Sequence, residues 1–476
     1  MKTVNIFKTW MVAGLALAAA GCEDFGNMNV DPNLPSSAPT STLLTAAERS
    51  ISDVIGATTP VLYVQYLSEN QYTESSRYNT ERFDFNGWYT GPLANLQKIV
   101  ELNSDADTRE AVAVDGGNNN QMAVARILKA YFFHMMTDRW GPLPYSGALK
   151  GSDGLTPSYD SQEEIYNDLF KELSEAVGQI DGGPGVVGDF LFNGDMDAWK
   201  RFGNTLRARM ALRISGVNPA KAKTEFEAAM AGGLIASDVM YLYLNEINNE
   251  NPWYTRFVTD NREDYSVSEP FMNYLKSVND PRISAFAEEA GDFPGQYIGM
   301  PYGIQSAGDI SNSSISYITS NIIYTQDAPL PVMTMAEVHF IMAEAKLLGW
   351  NVSGTAQAHY EAGVRASFDQ WGVSGADAYL AGENVAWDDA KARERIGYQK
   401  WVALYMQGYE AWAEWRRTGF PMLTPAPDAL NNSGQIPVRH GFPTSEFGLN
   451  GGNYDAGVVL LGGTDGLDTK LWWDVN

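Results

Sequence analysis

The sequence predicts a mainly α-helical fold: helix pairs packed as stacked repeats, with long irregular loops and a few short strands. Three observations predict it. Apolar residues recur at helical spacing in segment after segment. Helix start and stop signals bracket several of those segments, as with Thr334-x-x-Glu337 before an apolar run and Gly349 after it. No strand-rich block appears beyond short runs such as 318–324.

Taken in order, the elements are these. In 121–136, Val124, Leu128, Tyr131 and Met135 share one face, and Gly141-Pro142-Leu143-Pro144 breaks the helix with a rigid turn. Segment 161–180 carries Ile165, Leu169, Leu173 and Val177, and 196–215 carries Trp199, Phe202, Leu206, Met210 and Ile214. Thr334 with Glu337 forms a capping box that opens a helix running to Leu348. Tyr360, Val364 and Phe368 mark the next helix after a short turn. The small residues Ala343 and Ala345 allow close contact between the two, as in stacked helical repeats. A last long helix is expected over 396–416, with Trp401, Leu404, Gly408, Trp412 and Trp415. It ends in Arg416-Arg417-Thr418-Gly419, cations at the negative end of the dipole and a glycine cap. Between these helices lie irregular stretches near 66–92, 181–195, 245–270, 291–330 and 424–476. Loops this long inside a domain tend to carry function.

Composition narrows the class of protein. The chain has 476 residues, 44% hydrophobic and 19% charged, which excludes a disordered polymer. Its net charge of −25 repels phosphate backbones, so a nucleic acid is not expected as a partner. One cysteine excludes an intrachain disulfide framework and a cysteine-based zinc site.

The N-terminus reads as an export signal. Lys2 and Lys8 are basic, Trp10 to Gly21 is apolar but too short to span a bilayer, and Ala19-Ala20-Gly21 leads into Cys22. This resembles a bacterial lipobox, with Ala19 where the pattern usually has Leu. The resemblance implies cleavage of residues 1–21 and acylation of Cys22, giving a lipid-anchored lead-in over 22–40 before a single domain over 41–476. Glu23 and Asp24 resemble an export signal for the outer face of the outer membrane in Bacteroidetes lipoproteins.

Catalytic signatures are missing from the sequence. There is no Walker A pattern, no HExxH and no GxSxG. Gly183-Pro184-Gly185-Val186-Val187-Gly188 fits GxGxxG but follows a helix and contains proline, so it reads as a loop. His134, His339, His359 and His440 read as structural. No cofactor is expected, although Asp195 with Asp197 and Asp465 with Asp468 are carboxylate pairs of the kind that can hold a structural calcium ion.

Six motifs in order carry a resemblance. They are the lead-in Phe25 to Asn33; Ala125-Arg126-Ile127-Leu128 through Asp138-Arg139-Trp140-Gly141-Pro142-Leu143-Pro144-Tyr145; and Trp199-Lys200-Arg201-Phe202-Gly203-Asn204-Thr205-Leu206 with Arg207, Arg209 and Arg213. Then come Met335-Ala336-Glu337-Val338 with Ala343-Glu344-Ala345 and Gly349-Trp350; Tyr409-Glu410-Ala411-Trp412 to Gly419; and Ile436-Pro437-Val438-Arg439 to Trp472-Trp473-Asp474. The chain resembles the SusD/RagB-like outer-membrane nutrient-binding lipoproteins, and among them the second large SusD-like subgroup.

The resemblance implies a tetratricopeptide-like scaffold and a non-enzymatic role at the cell surface. The protein would capture an oligosaccharide or other oligomeric nutrient and deliver it to a SusC-like TonB-dependent transporter in the outer membrane. A peptide cargo, a purely structural lid and a lipid-anchored hydrolase are the alternatives. On the residues themselves, Glu344 and the arginines 207, 209 and 213 are candidates for buried ion pairs between helices. Exposed loop aromatics offer flat faces for stacking on sugar rings or peptide side chains. Among them Tyr72, Tyr78, Trp253 and Tyr302 are the candidate ligand contacts, while Trp88 and Tyr89 are expected to pack into the core.

Overall fold

A computed structural model describes residues 38–476. The expected signal segment, Cys22 and nearly all of the lead-in lie outside the described residues. Thr40–Asn476 form one unit.

The principal helices are α1 (Thr40–Arg49), α2 (Ile51–Ile55), α3 (Thr58–Tyr63), α4 (Ala94–Ser104), α5 (Asn118–Trp140), α6 (Gln162–Gln179) and α7 (Met196–Arg213). They continue with α8 (Pro219–Gly232), α9 (Glu269–Ser277), α10 (Met335–Leu347), α11 (Ala356–Gln370), α12 (Ala392–Ala403), α13 (Gly408–Thr418) and α14 (Gly451–Leu460). Among the described residues there are also three two-stranded antiparallel ribbons: β1 (Leu67–Glu69) with β5 (Tyr265–Val267), β2 (Leu143–Pro144) with β3 (Tyr159–Asp160), and β4 (Val239–Tyr241) with β6 (Leu330–Met333).

Helices pack in pairs: α5 on α6, α7 on α8, α10 on α11, and α12 on α13. Contacts of α6 with α7, α7 with α10 and α10 with α12 join the pairs into a tetratricopeptide-like stack. The central helix α5 is buried on almost every side from Ala123 to Trp140, so its polar residues must find partners inside the protein. Around α10 and α11 a second apolar cluster forms, with Phe340, Tyr360, Val364 and Phe368.

Local chemistry sets the helix ends. Ser161 and Glu164 make a full capping box at the start of α6. The Asp195 side chain caps α7 by accepting from the N–H groups of Asp197 and Ala198, and Asn218 caps α8, whose first residue is Pro219. Gly419 closes α13 in the left-handed conformation (φ 74°), with Arg416 and Arg417 in the last turn.

Three sequence expectations need correction. The capping box at α10 is only half made. Thr334 Oγ1 accepts the Glu337 N–H at 3.3 Å, but both Glu337 oxygens go to Arg209. A buried guanidinium outbids a backbone N–H for a carboxylate, because an unpaired buried charge is far more costly. The single helix expected over 396–416 is two helices, α12 and α13, with Met406 at φ 71° in the break. Leu404, Tyr405 and Met406 are all buried, so the apolar pattern runs straight through the break and hides it. Run 318–324 forms an isolated bridge at Ile318 and then a short helical turn, Ser320–Ile323.

Buried ion pairs tie the stack together. Arg213 on α7 reaches Glu410 and Glu414 on α13 at 2.6 Å each, and Asp138 on α5 at 3.2 Å. Arg417 on α13 binds Glu344 on α10 at 2.7 Å, and Lys400 on α12 binds Glu414 at 2.6 Å. Arg207 pairs with Glu225 of α8 at 2.5 Å. The arginines and Glu344 therefore act as buried ion-pair formers, as their placement in the sequence suggested.

Candidate ligand-binding site

The β1–β5 ribbon is short and buried, with Glu69 opposite Tyr265 in the register. Just beyond it the backbone pairing continues, as the Asn70 N–H donates to the Asp264 carbonyl at 2.8 Å. The Asn70 amide then donates to the Glu263 carbonyl (3.0 Å) and to the Tyr317 hydroxyl (2.9 Å). One buried side chain thus joins three of the irregular stretches, those containing Tyr72, Glu263 and Tyr317.

Exposed rings gather at this junction. Tyr72, 67% exposed, sits at φ 54°, and the Arg262 guanidinium lies 5.0 Å from its ring centre. Arg262 is itself held by Asp264 at 2.6 Å. Tyr324, 53% exposed, directs its hydroxyl to Glu263 Oε1 at 3.3 Å. Tyr317 is half-buried, and burial together with the Glu263 charge pushes its hydroxyl up to about 12. The result is an open face with tyrosine rings, a guanidinium and a carboxylate presented together. Such a face can stack on flat apolar surfaces and hydrogen-bond to hydroxyl and amide groups around them.

Beneath it, Glu69 fixes the loop that bears Tyr72. Its Oε2 accepts the Ser76 N–H at 2.8 Å and the Ser76 hydroxyl at 2.9 Å. Burial raises the Glu69 carboxyl from 4.5 to about 7, against the opposing pull of those hydrogen bonds.

Of the four candidate contacts, only Tyr72 presents its ring to solvent. Tyr78 is fully buried, packs edge-on against Tyr63, and accepts the Ala426 N–H at 3.0 Å. Trp253 is fully buried against Tyr265, with the Arg256 guanidinium 4.9 Å from its ring. Tyr302 is 6% exposed. These three therefore anchor loops instead of offering ligand faces. A long loop has little apolar material of its own, so it folds onto the body through its largest rings. Trp88 and Tyr89 do pack on α5, against Phe132 and Phe133. Tyr324, Arg262, Glu263 and Asn70 were not legible from the sequence. Their signal was faint: an acidic and basic run beside the aromatic Tyr265, and one tyrosine after an apolar run.

Three of the four carboxylates considered for calcium have other work. Asp195 caps α7. Asp465 is held by Arg439 at 2.6 Å, by Arg82, and by the Tyr454 hydroxyl at 3.1 Å, while Asp468 accepts from the Ser433 hydroxyl at 2.9 Å. Among the described residues, no group of three or more His, Cys, Asp or Glu side chains is placed to hold a metal ion. Among the described residues, no helix is long and apolar enough to cross a membrane.

Comparison with known proteins places the chain. A chitin-binding SusD homolog from Flavobacterium johnsoniae is 31% identical, with a TM-score of 0.77 over 92% of this chain and 99% of that one. A chitin-binding protein is 28% identical, with a TM-score of 0.79 over 92% of this chain and all of that one. A SusD homolog from Bacteroides uniformis is also 28% identical, with a TM-score of 0.78 over 92% of this chain and 99% of that one. No curated protein sequence matches the chain. The SusD-like family 2 model, described as starch-binding and associating with the outer membrane, matches residues 32–443. With that match running through the helical stack and the loops that carry the exposed tyrosines, the chain belongs to SusD-like family 2, a family of glycan-binding outer-membrane proteins.

Proposed function

We propose that this protein captures an oligosaccharide at the cell surface and hands it to a TonB-dependent transporter, itself performing no chemistry on the cargo. The observation that carries this reading is the grouping of Tyr72, Tyr324, Arg262 and Glu263 on one open face of a SusD-like scaffold. Tyrosine rings stack on the C–H faces of sugar rings. The Arg262 guanidinium donates to acetamido carbonyls or hydroxyls, and Glu263 accepts from hydroxyls. An open face suits a segment of a long polymer better than a monosaccharide, since the chain ends run on past it. The chitin-binding relatives support a polymer of β-linked N-acetylated amino sugar as the cargo. Acylated Cys22 would tether the body to the outer membrane, where several acyl chains make a stable anchor.

Titration calorimetry with chito-oligosaccharides, with malto-oligosaccharides and unrelated peptides as controls, tests the cargo. Saturable binding of a sugar that is lost in Tyr72→Ala supports the reading, and binding of peptides alone replaces glycan with peptide. A detergent pull-down of the tagged protein from its own outer membrane tests the partner. A TonB-dependent barrel in near-equal amount is the expected result, and recovery of the protein alone would overturn the delivery role.

A further inference from the structure

Two buried arginines near the centre of the stack are bound only by neutral groups. Arg139, at the end of α5, donates to His440 Nδ1 and to Met135 Sδ, both at 3.3 Å, and lies between the rings of Trp140 (4.1 Å) and Tyr409 (4.2 Å). Arg416, on α13, donates to the carbonyls of Trp412, Asp138 and Val438 at 3.1, 2.8 and 2.9 Å. Its guanidinium lies over Trp412 at 3.9 Å. The charges of Asp138 and Asp474 reach Arg416, but neither carboxylate forms an ion pair with it.

Both arginines line one cavity of about 40 Å³, together with Gln407. Arg416 Nη2 and Gln407 Nε2 are buried, each in a residue 4% exposed, and neither has a hydrogen-bond partner. Two carboxylates also border the cavity, each within ion-pair distance of Arg213, although Asp138 Oδ2 accepts no hydrogen bond. Asp138 is held by His134 (3.1 Å), Arg213 (3.2 Å), the Tyr166 hydroxyl (2.5 Å) and Trp473 Nε1 (2.8 Å). Glu410 is held by Arg213 (2.6 Å) and Arg209 (3.6 Å).

We propose that this cavity binds one small monovalent anion of halide size, chloride in the cell, held by Arg416 Nη2 and Gln407 Nε2 beside Arg139. A volume near 40 Å³ takes one such ion or a few waters, since a water needs roughly 10–15 Å³. Charge decides between them. A buried guanidinium with no ion pair of its own is costly, and water does not neutralise it. Burial accordingly pulls Arg416 down to about 10 and lowers Arg139. The ion would brace α13 against α5 independently of any cargo.

Crystals of the wild-type protein soaked in sodium bromide test this directly. An anomalous bromide peak within hydrogen-bonding reach of Arg416 and Gln407 is expected, and ordered water at that position with no bromide would overturn the proposal. In solution, chloride should raise Tm by about 2 °C or more over gluconate, which is too large for the cavity, at equal ionic strength. That difference should vanish in Gln407→Leu. Equal Tm values for the wild type in the two salts would also overturn the proposal. If Gln407→Leu fails to fold, the bromide experiment on the wild type still decides.

Discussion

Arg209 on α7 and Glu337 on α10 meet through two parallel hydrogen bonds of 2.6 Å, across 128 residues of sequence and with the Glu337 side chain fully buried. Each belongs to a different helix pair, so this contact fixes how the second pair of the stack sits on the third. Removing one partner leaves a charge in the interior. Arg209→Ala or Glu337→Ala is expected to destabilise by about 3–5 kcal/mol in urea unfolding. The double variant Arg209→Met/Glu337→Leu should cost clearly less than the sum of the singles, because no charge is then stranded. Additive losses would show that the two residues are not coupled.

Exposed and buried loop aromatics should separate cleanly. Tyr72→Ala is expected to weaken oligosaccharide binding roughly 5–10-fold, as one stacking face contributes about 1 kcal/mol, with Tm unchanged. Trp253→Ala should instead lower stability by about 3–5 kcal/mol, since it empties a fully buried site. Calorimetry and thermal melts on the two variants check this. A Tyr72→Ala protein with full affinity would move the ligand elsewhere on the surface.

Glu69 should make stability depend on pH in an unusual direction. Its carboxyl titrates at about 7 in the folded protein and near 4.5 in the unfolded chain, so the folded state holds a proton between those values. That contribution is fully present below about pH 4.5 and is lost as pH rises through 7, a change of about 3 kcal/mol. Glu69→Gln should remove this slope. Denaturant midpoints of wild type and variant at pH 5 and pH 8 measure it.

His440 works in the opposite sense. Burial, with Arg139, Arg416 and Arg439 nearby, holds its imidazole well below the usual 6.5. The folded protein keeps it neutral while the unfolded chain protonates, so stability is lost as pH falls below about 6.5. Bulk stability mixes this with the Glu69 effect, so the direct check is histidine ring NMR. His440 should still be neutral at about pH 5, where an ordinary histidine is largely charged. The ring also stacks on Phe83 at 3.7 Å, a contact that a charged imidazole would have to make while desolvated.

Most of the helices of the stack, the arginine and glutamate ion-pair formers and the family were legible in the sequence. Those signals are local or periodic: Gly419 closes a helix just after Arg416 and Arg417, and Trp199, Phe202, Leu206 and Met210 return to one face of α7 at every turn. Where the period stops, so does the legibility. Met406 breaks a helix within an unbroken apolar run, and Glu337 leaves its own cap for an arginine on another helix.

Which loop rings reach solvent was settled by tertiary contacts. Tyr72 and Tyr78 lie six positions apart in one loop, yet one is exposed and the other fully buried. Tyr78 packs edge-on against Tyr63, and its hydroxyl accepts the Ala426 N–H from 348 residues away. A loop carries no repeat from which to read its inward side. Its rings turn in or out according to what distant chain segments offer them, and only the folded chain brings those segments together.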